Sequence, residues 1–181
     1  EFKTPLSGIL NASILIGKYT QSETQDKRDK HLLTIKNKVY YLNGILNDFL
    51  SMERLESGKV KYKLTSFKLS KVVNEVVYNA NMMLKSGQRI NYPLDIDNLT
   101  IYQDEKIVEL ALSNLLHNAI KYSSENTTID FKIKLNSKGY IFEIKDEGIG
   151  IPYEDQKHIF ERYFRAENAL TNEGSGIGLN I

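Results

Sequence analysis

Apolar positions recur at helical intervals over roughly the first 58 residues, and beyond Val60 they alternate. Phe2, Leu6, Ile9, Ser13 and Ile16 step by four, three, four and three. After a polar stretch from Thr20 to Lys30, Leu32, Ile35, Val39, Leu42, Leu46 and Phe49 repeat that rhythm. Two such a/d stripes joined by a polar connection predict an antiparallel helical hairpin. A lone hairpin leaves its apolar seam in water, so pairing with a second copy into a four-helix bundle is expected. Packing against the second half of the chain is the alternative. Glu56-Ser57-Gly58 reads as a glycine C-cap closing the second helix.

The alternating runs predict half-buried strands: Val60-Tyr62-Leu64, Ile90-Tyr92-Leu94-Ile96, Ile129-Phe131-Ile133-Leu135 and Tyr140-Phe142-Ile144. Pro93 makes the second of these an edge strand, because proline cannot donate to a ladder. Two helices intervene. Ser70 is the expected cap of one, carrying Val72, Val73, Val76, Val77, Ala80 and Leu84. Asp104 caps the other, carrying Ile107, Val108, Ala111, Leu115 and Ala119. Helices over one face of a mixed sheet predict an α+β sandwich, giving two domains, 1–58 and 59–181.

Composition narrows the chemistry. Over 181 residues, 24 Lys+Arg against 23 Asp+Glu leave the chain near neutrality. That removes the electrostatic reason to expect nucleic acid or an anionic membrane as partner. There is no cysteine, which excludes disulfides and thiolate metal sites. His31, His117 and His158 are too scattered for a zinc constellation. His31 is expected as a solvated surface residue, His117 turned away from the face described below, and His158 in a short helix before Phe160. No apolar run is long enough to span a bilayer, and a cytoplasmic, reducing setting is expected.

Two glycine clusters carry the strongest chemical signal. Asp146-Glu147-Gly148-Ile149-Gly150-Ile151-Pro152 opens with a carboxylate at the end of an apolar strand, and Gly174-Ser175-Gly176-Ile177-Gly178-Leu179 follows. Glycine lets backbone N–H groups approach a ligand and suits loops that cradle phosphate. The spacing is neither a dinucleotide fingerprint nor a Walker loop. On the helix after Asp104, Asn114, Asn118 and Lys121 fall at i, i+4 and i+7 and so share one face. A carboxamide oxygen can ligate Mg²⁺ while a lysine neutralises phosphate; a solvent-facing polar stripe is the alternative.

These strings resemble, in order, the motifs of sensor histidine kinases. Asn114 to Ser123 is similar to their N box, Asp146 to Pro152 to the first glycine box, Ile159 to Arg165 to the F box, and Gly174 to Leu179 to the second glycine box. Glu1-Phe2-Lys3-Thr4-Pro5-Leu6 resembles the stretch that follows the phosphoacceptor histidine. The fold implied is a dimerising hairpin followed by a Bergerat-type ATP-binding sandwich. The activity implied is autophosphorylation of a histidine from Mg·ATP and transfer to an aspartate of a response-regulator receiver domain, with dephosphorylation of that aspartate as a second activity the resemblance allows.

The resemblance also implies roles. Asn118 would ligate Mg²⁺, with Asn114 and Lys121 supporting. Asp146 would accept from the adenine amino group, and Tyr122 and Ile151 would line the base and ribose pocket. Gly148 and Gly150 would shape that loop. Gly174, Ser175, Gly176, Ile177, Gly178 and Leu179 would offer main chain to the phosphates. Arg165, and secondarily Arg162, would stabilise charge on the transferred phosphoryl group. Phe160 and Phe164 would pack a lid running from Ala166 to Glu173. Glu1 would accept the imidazole proton, Thr4 would orient a water for dephosphorylation, and Pro5 would kink its helix.

By the same resemblance a phosphoacceptor histidine precedes Glu1, and a helix remainder and closing hairpin follow Ile181. The chain is therefore expected to be a trimmed kinase core that binds ATP without itself accepting the phosphoryl group. Two rivals compete. An ATP-driven clamp of the chaperone or gyrase type would need a water-activating glutamate, and Glu109 stands nine residues before Asn118, out of register. A degenerate kinase acting as a dimeric scaffold is the non-enzymatic reading.

Overall fold

The computed structural model describes residues 2–56, 62–170, 174 and 176–180. The chain divides into two compact units, one built on residues 1–59 with 173–177 and 181, the other on 60–172 with 178–180.

In the first unit, α1 (Lys3–Lys18) and α2 (Gln25–Glu56) form the predicted antiparallel hairpin, joined through a 3₁₀ turn at Ser22–Thr24. The connection is shorter than the polar run suggests, because Gln25–Lys30 already forms the opening of α2. Tyr19 organises it. Its ring stacks on His31 at 5.7 Å and 9°, its carbonyl accepts from Arg28 Nη1 at 2.9 Å, and Lys27 Nζ lies 5.5 Å from the ring centroid. His31 is therefore half-buried against Tyr19 rather than a solvated surface residue.

The hairpin divides each predicted stripe between two seams. Ile9 and Ile16 face inward with the buried Pro5 and Ala12, and Ile35 and Leu42 do so with the buried Ile45. Phe2, Leu6, Leu32, Val39 and Leu46 stay exposed. Steps of three and four residues turn the helix by about 300° and 400°, so alternate members diverge to either side of one line. Leu32, Val39 and Leu46, seven apart, make a continuous apolar row that the hairpin itself does not cover. Pro5 is buried in α1, and Phe2 before the helix already has helical φ −61° and ψ −32°. Gly58 and Val60 lie outside the described residues, and so does the side chain of Phe49.

The second unit packs α3 (Leu69–Asn81) and α4 (Glu105–Tyr122) over two strand ladders. Strand β1 (Leu64–Lys68) pairs antiparallel with β3 (Thr100–Asp104). Strand β2 (Arg89–Asn91) runs parallel to β4 (Thr128–Asn136), which pairs antiparallel with β5 (Gly139–Lys145). Phe67, Val73, Val76, Leu116, Ile129 and Phe131 fill the core between helices and strands. Ile129 and Phe131 are buried while their neighbours in β4 are not, the period-2 alternation seen in the sequence.

Several boundaries differ from the pattern. The first strand begins at Leu64, and β2 stops at Asn91, two residues before Pro93, though it is the edge strand expected. β3 has no alternating run to announce it. Ser70 is not a cap: α3 is capped by Lys68 without a side-chain bond, and Ser70 is buried inside the helix. Asp104 caps α4 as predicted, accepting from the N–H groups of Lys106 and Ile107 at 3.0 and 3.3 Å. The N–H of Lys63 adds a third bond at 2.7 Å, and with the α4 donors it holds the carboxyl below the usual aspartate range. On α4 the inward residues are Leu112, Leu116, Ala119 and Ile120, whereas Ala111 and Leu115 are exposed.

Candidate active site

Asp104 fixes where α4 starts, and the 3.6-residue repeat that buries Leu112, Leu116 and Ile120 turns Asn114, Asn118 and Lys121 to a shared, half-buried face. Asn114 Nδ2 donates to the carbonyl of Gly178 at 3.1 Å. Lys121 Nζ donates to the Tyr122 hydroxyl at 3.1 Å and lies 4.6 Å from that ring's centroid. Among the described residues the Asn118 carboxamide makes no hydrogen bond. His117, as predicted, is turned elsewhere and meets Met83 Sδ at 2.6 Å.

The first glycine box is built against the end of this helix. The N–H of Ile149 donates to the carbonyl of Tyr122 at 3.3 Å, and Ser123 and Gly148 form a bridge. Asp146 Oδ1 accepts from the N–H of Gly148 at 2.8 Å. A Cβ on Gly148 would stand 2.6 Å from that oxygen and 2.9 Å from the Tyr122 carbonyl, so glycine is required for the loop to lie this close. Gly150 adopts φ +66°, the left-handed region. Asp146, Gly148, Gly150 and Ile151 line an open cleft of about 710 Å³, whose other wall includes Ile144, Gln156 and Ile159.

The F box departs from its expected role in detail. His158, in the 3₁₀ turn Gln156–His158 predicted for it, bonds Glu161 through Nδ1 at 2.6 Å and packs on Phe164 with ring centroids 5.4 Å apart. Phe160 is exposed, and its carbonyl accepts from Asn180 Nδ2 at 2.8 Å; part of the expected lid lies outside the described residues. Arg165 donates through Nη2 to the carbonyl of Ala169 at 2.6 Å, so its guanidinium is engaged by the 3₁₀ turn Glu167–Ala169. Asn168, which the sequence left unremarked inside the lid, donates to the carbonyl of Gly150 at 3.1 Å and of Ile149 at 3.4 Å. It pins the segment after the F box onto the first glycine box.

Other site residues are less well placed. Thr4 is exposed on α1. Gly174, Gly176 and Ile177 group with the first unit, leaving Gly178 and Leu179 of the second glycine box with the second. Glu1 and Ser175 lie outside the described residues. Glu109 has Glu75, Glu105, Lys106 and Lys71 as its charged neighbours; burial first, then the two glutamates, push its carboxyl above the ordinary range. Those neighbours belong to α3 and the start of α4.

Residues 103–181 match the family described as histidine kinase-, DNA gyrase B- and HSP90-like ATPase. The whole chain aligns, at 32% identity, with 55% of an aerobic respiration control sensor protein ArcB homolog from Haemophilus influenzae. Along its whole length the chain is similar to sensor histidine kinases, and residues 103–181 carry the matching ATPase domain. Its fold matches that of the Acinetobacter baumannii histidine kinase AdeS at TM-score 0.69, with 22% identity over 98% of this chain and 81% of that one. Histidine kinase ThkA, solved in complex with response regulator protein TrrA, matches at TM-score 0.62 and 22% identity over 91% of this chain and 48% of that one. The chain spans 14% to 55% of the length of such curated relatives.

The residues present suit a divalent cation held jointly with a nucleotide. Among the described residues, no three His, Cys, Asp or Glu side chains converge on one point. An ion at Asn118 would then take its remaining oxygens from phosphate and water, the ordinary habit of Mg²⁺.

Proposed function

We propose that this chain is the catalytic core of a dimeric sensor histidine kinase that binds Mg·ATP in the second unit and phosphorylates a histidine of the hairpin domain. The observation that carries the reading is the unbonded Asn118 carboxamide on the same helix face as Lys121 and Asn114, with the first glycine box hydrogen-bonded to that helix's end. Asp146 has one oxygen engaged by Gly148 and a second left to accept the adenine amino group. Tyr122 and Ile151 flank the base, and Gly178 and Leu179 face the phosphates. Asn118, with Lys121 beside it, would hold Mg²⁺, which would supply charge neutralisation at the phosphates.

In the reaction, a histidine ring nitrogen forms the bond to the γ-phosphorus as the bond to the bridging oxygen breaks, and ADP departs with that oxygen. Glu1 takes the proton from the other ring nitrogen. Arg165 stabilises the equatorial oxygens once nucleotide draws it from the Ala169 carbonyl. The phosphoryl group then passes to an aspartate of a response-regulator receiver domain, and Thr4 suits orientation of water for its removal. The exposed row Leu32-Val39-Leu46 supports a homodimer, which would bury it. Among the described residues no helix is long and apolar enough to cross a membrane; a cytoplasmic setting, where ATP is supplied, is part of the proposal.

The test is to incubate the full-length protein with γ-labelled ATP and Mg²⁺, then with a receiver domain. An acid-labile, base-stable phosphoprotein that loses its label to the receiver is expected. ATP hydrolysis without phosphoprotein would point to the clamp, and the absence of both to the scaffold.

A further inference from the structure

Helix α4 ends without a glycine cap: Ser123 is extended, at φ −86° and ψ 151°. The last carbonyls of a helix have no intrahelical donors, so each must be met from elsewhere. Among the described residues, only the Ala119 carbonyl is met locally, by the N–H of Ser123 at 3.2 Å. The others are met largely by two side chains from the turn between α3 and β2. Gln88 Nε2 contacts the carbonyls of Ile120, Ser123 and Ser124 at 3.2, 3.2 and 3.0 Å. Lys85 Nζ donates to those of Lys121 and Ser123 at 2.7 and 2.6 Å. The turn is itself closed by Gln88, whose Oε1 accepts from the N–H of Lys85 at 2.8 Å. Gln88 is only 5% exposed.

The remaining carbonyl, that of Tyr122, accepts from Ile149 of the first glycine box. The same last turn thus carries Lys121 and Tyr122 on its side chains and the adenine-side loop on its main chain. A positive charge at a helix C-terminus also opposes the helix dipole favourably. We infer that Gln88, with Lys85, is a positioning residue for the nucleotide site: it clamps the end of α4 and so sets the register between the Asn118–Lys121 face and the Asp146–Gly150 loop. This rests on the reading of that face as the Mg·ATP site. Neither side chain touches the cleft, so the effect is transmitted through the helix end.

The experiment compares the full-length protein with Gln88→Glu and Lys85→Met. Gln88→Glu keeps the acceptor for Lys85 and loses both donors. Calorimetry gives Kd for Mg·ATP analogue, and thermal unfolding gives Tm without nucleotide. The clamp predicts Kd raised about tenfold in each variant, with the unfolding transition still cooperative. Restoring a donor with Gln88→His would recover part of that loss. A lowered Tm with unchanged Kd in both variants makes the turn merely structural and overturns the inference. If the unaltered protein binds no Mg·ATP, the reading of the site falls first and this inference with it. Should Gln88→Glu not fold, Lys85→Met decides by the same two readouts.

Discussion

Asn114 donates from Nδ2 to the carbonyl of Gly178 at 3.1 Å, joining the α4 face to the second glycine box across 64 positions of sequence. The bond is half-buried, so a net contribution of about 1 kcal/mol is expected of it. Asn114→Leu should lower stability by that order and weaken Mg·ATP binding roughly fivefold, because Gly178 is no longer held against α4. Chemical denaturation and calorimetry read the two effects separately.

Gly148 has less freedom still. A methyl group there meets the Asp146 carboxylate and the Tyr122 carbonyl, one of which is fixed backbone. Gly148→Ala should cost about 1–3 kcal/mol of stability and reduce nucleotide affinity well beyond tenfold, since the loop must retreat from α4. Retained affinity would mean that the loop's approach to Tyr122 is incidental to binding.

Glu109 sits half-buried beside Glu75 and Glu105, and burial with those charges raises its pKa above the ordinary 4.5. A carboxyl raised in the folded state opposes folding when ionised. That cost is absent at pH below the unfolded value and is fully present above the folded one. Glu109→Gln should therefore stabilise the protein at pH 7, by about 0.5 kcal/mol after solvent screening, and by nothing near pH 4. Unfolding curves at the two pH values check the sign. ATP turnover, if it were lost in this variant, would revive the clamp.

Leu32, Val39 and Leu46 line one exposed row of the hairpin. Val39→Glu places a charge in the middle of that row. A dimer formed through it should dissociate at least tenfold more readily, measured by sedimentation of the full-length protein. Unchanged self-association would place the interface elsewhere.

The sequence made some of this legible and hid the rest for identifiable reasons. Helices α1, α2 and α4 and strands β4 and β5 follow from periodicity because each is long and buries one side only. The cap at Asp104 was legible because its carboxylate precedes an apolar helix, whereas Ser70 misled because Lys68 ends β1 and caps α3 with no side-chain bond. β3 was invisible: its five residues bury only Asp104. The motif residues Asn114, Asn118, Asp146 and Gly148 were readable by type and spacing. Gln88 and Asn168 were not, since each acts on backbone carbonyls that are distant in sequence and carry no residue signature.

The central claim is that Asn118 holds a divalent ion against the phosphates of ATP. Calorimetric titration with a non-hydrolysable ATP analogue, with and without Mg²⁺, tests it on the unaltered protein and on Asn118→Ala. The account predicts that Mg²⁺ strengthens binding to the unaltered protein at least tenfold and that the alanine variant loses most of that dependence while remaining folded. Equal Mg²⁺ dependence in the two proteins, or no binding by the first, would contradict it.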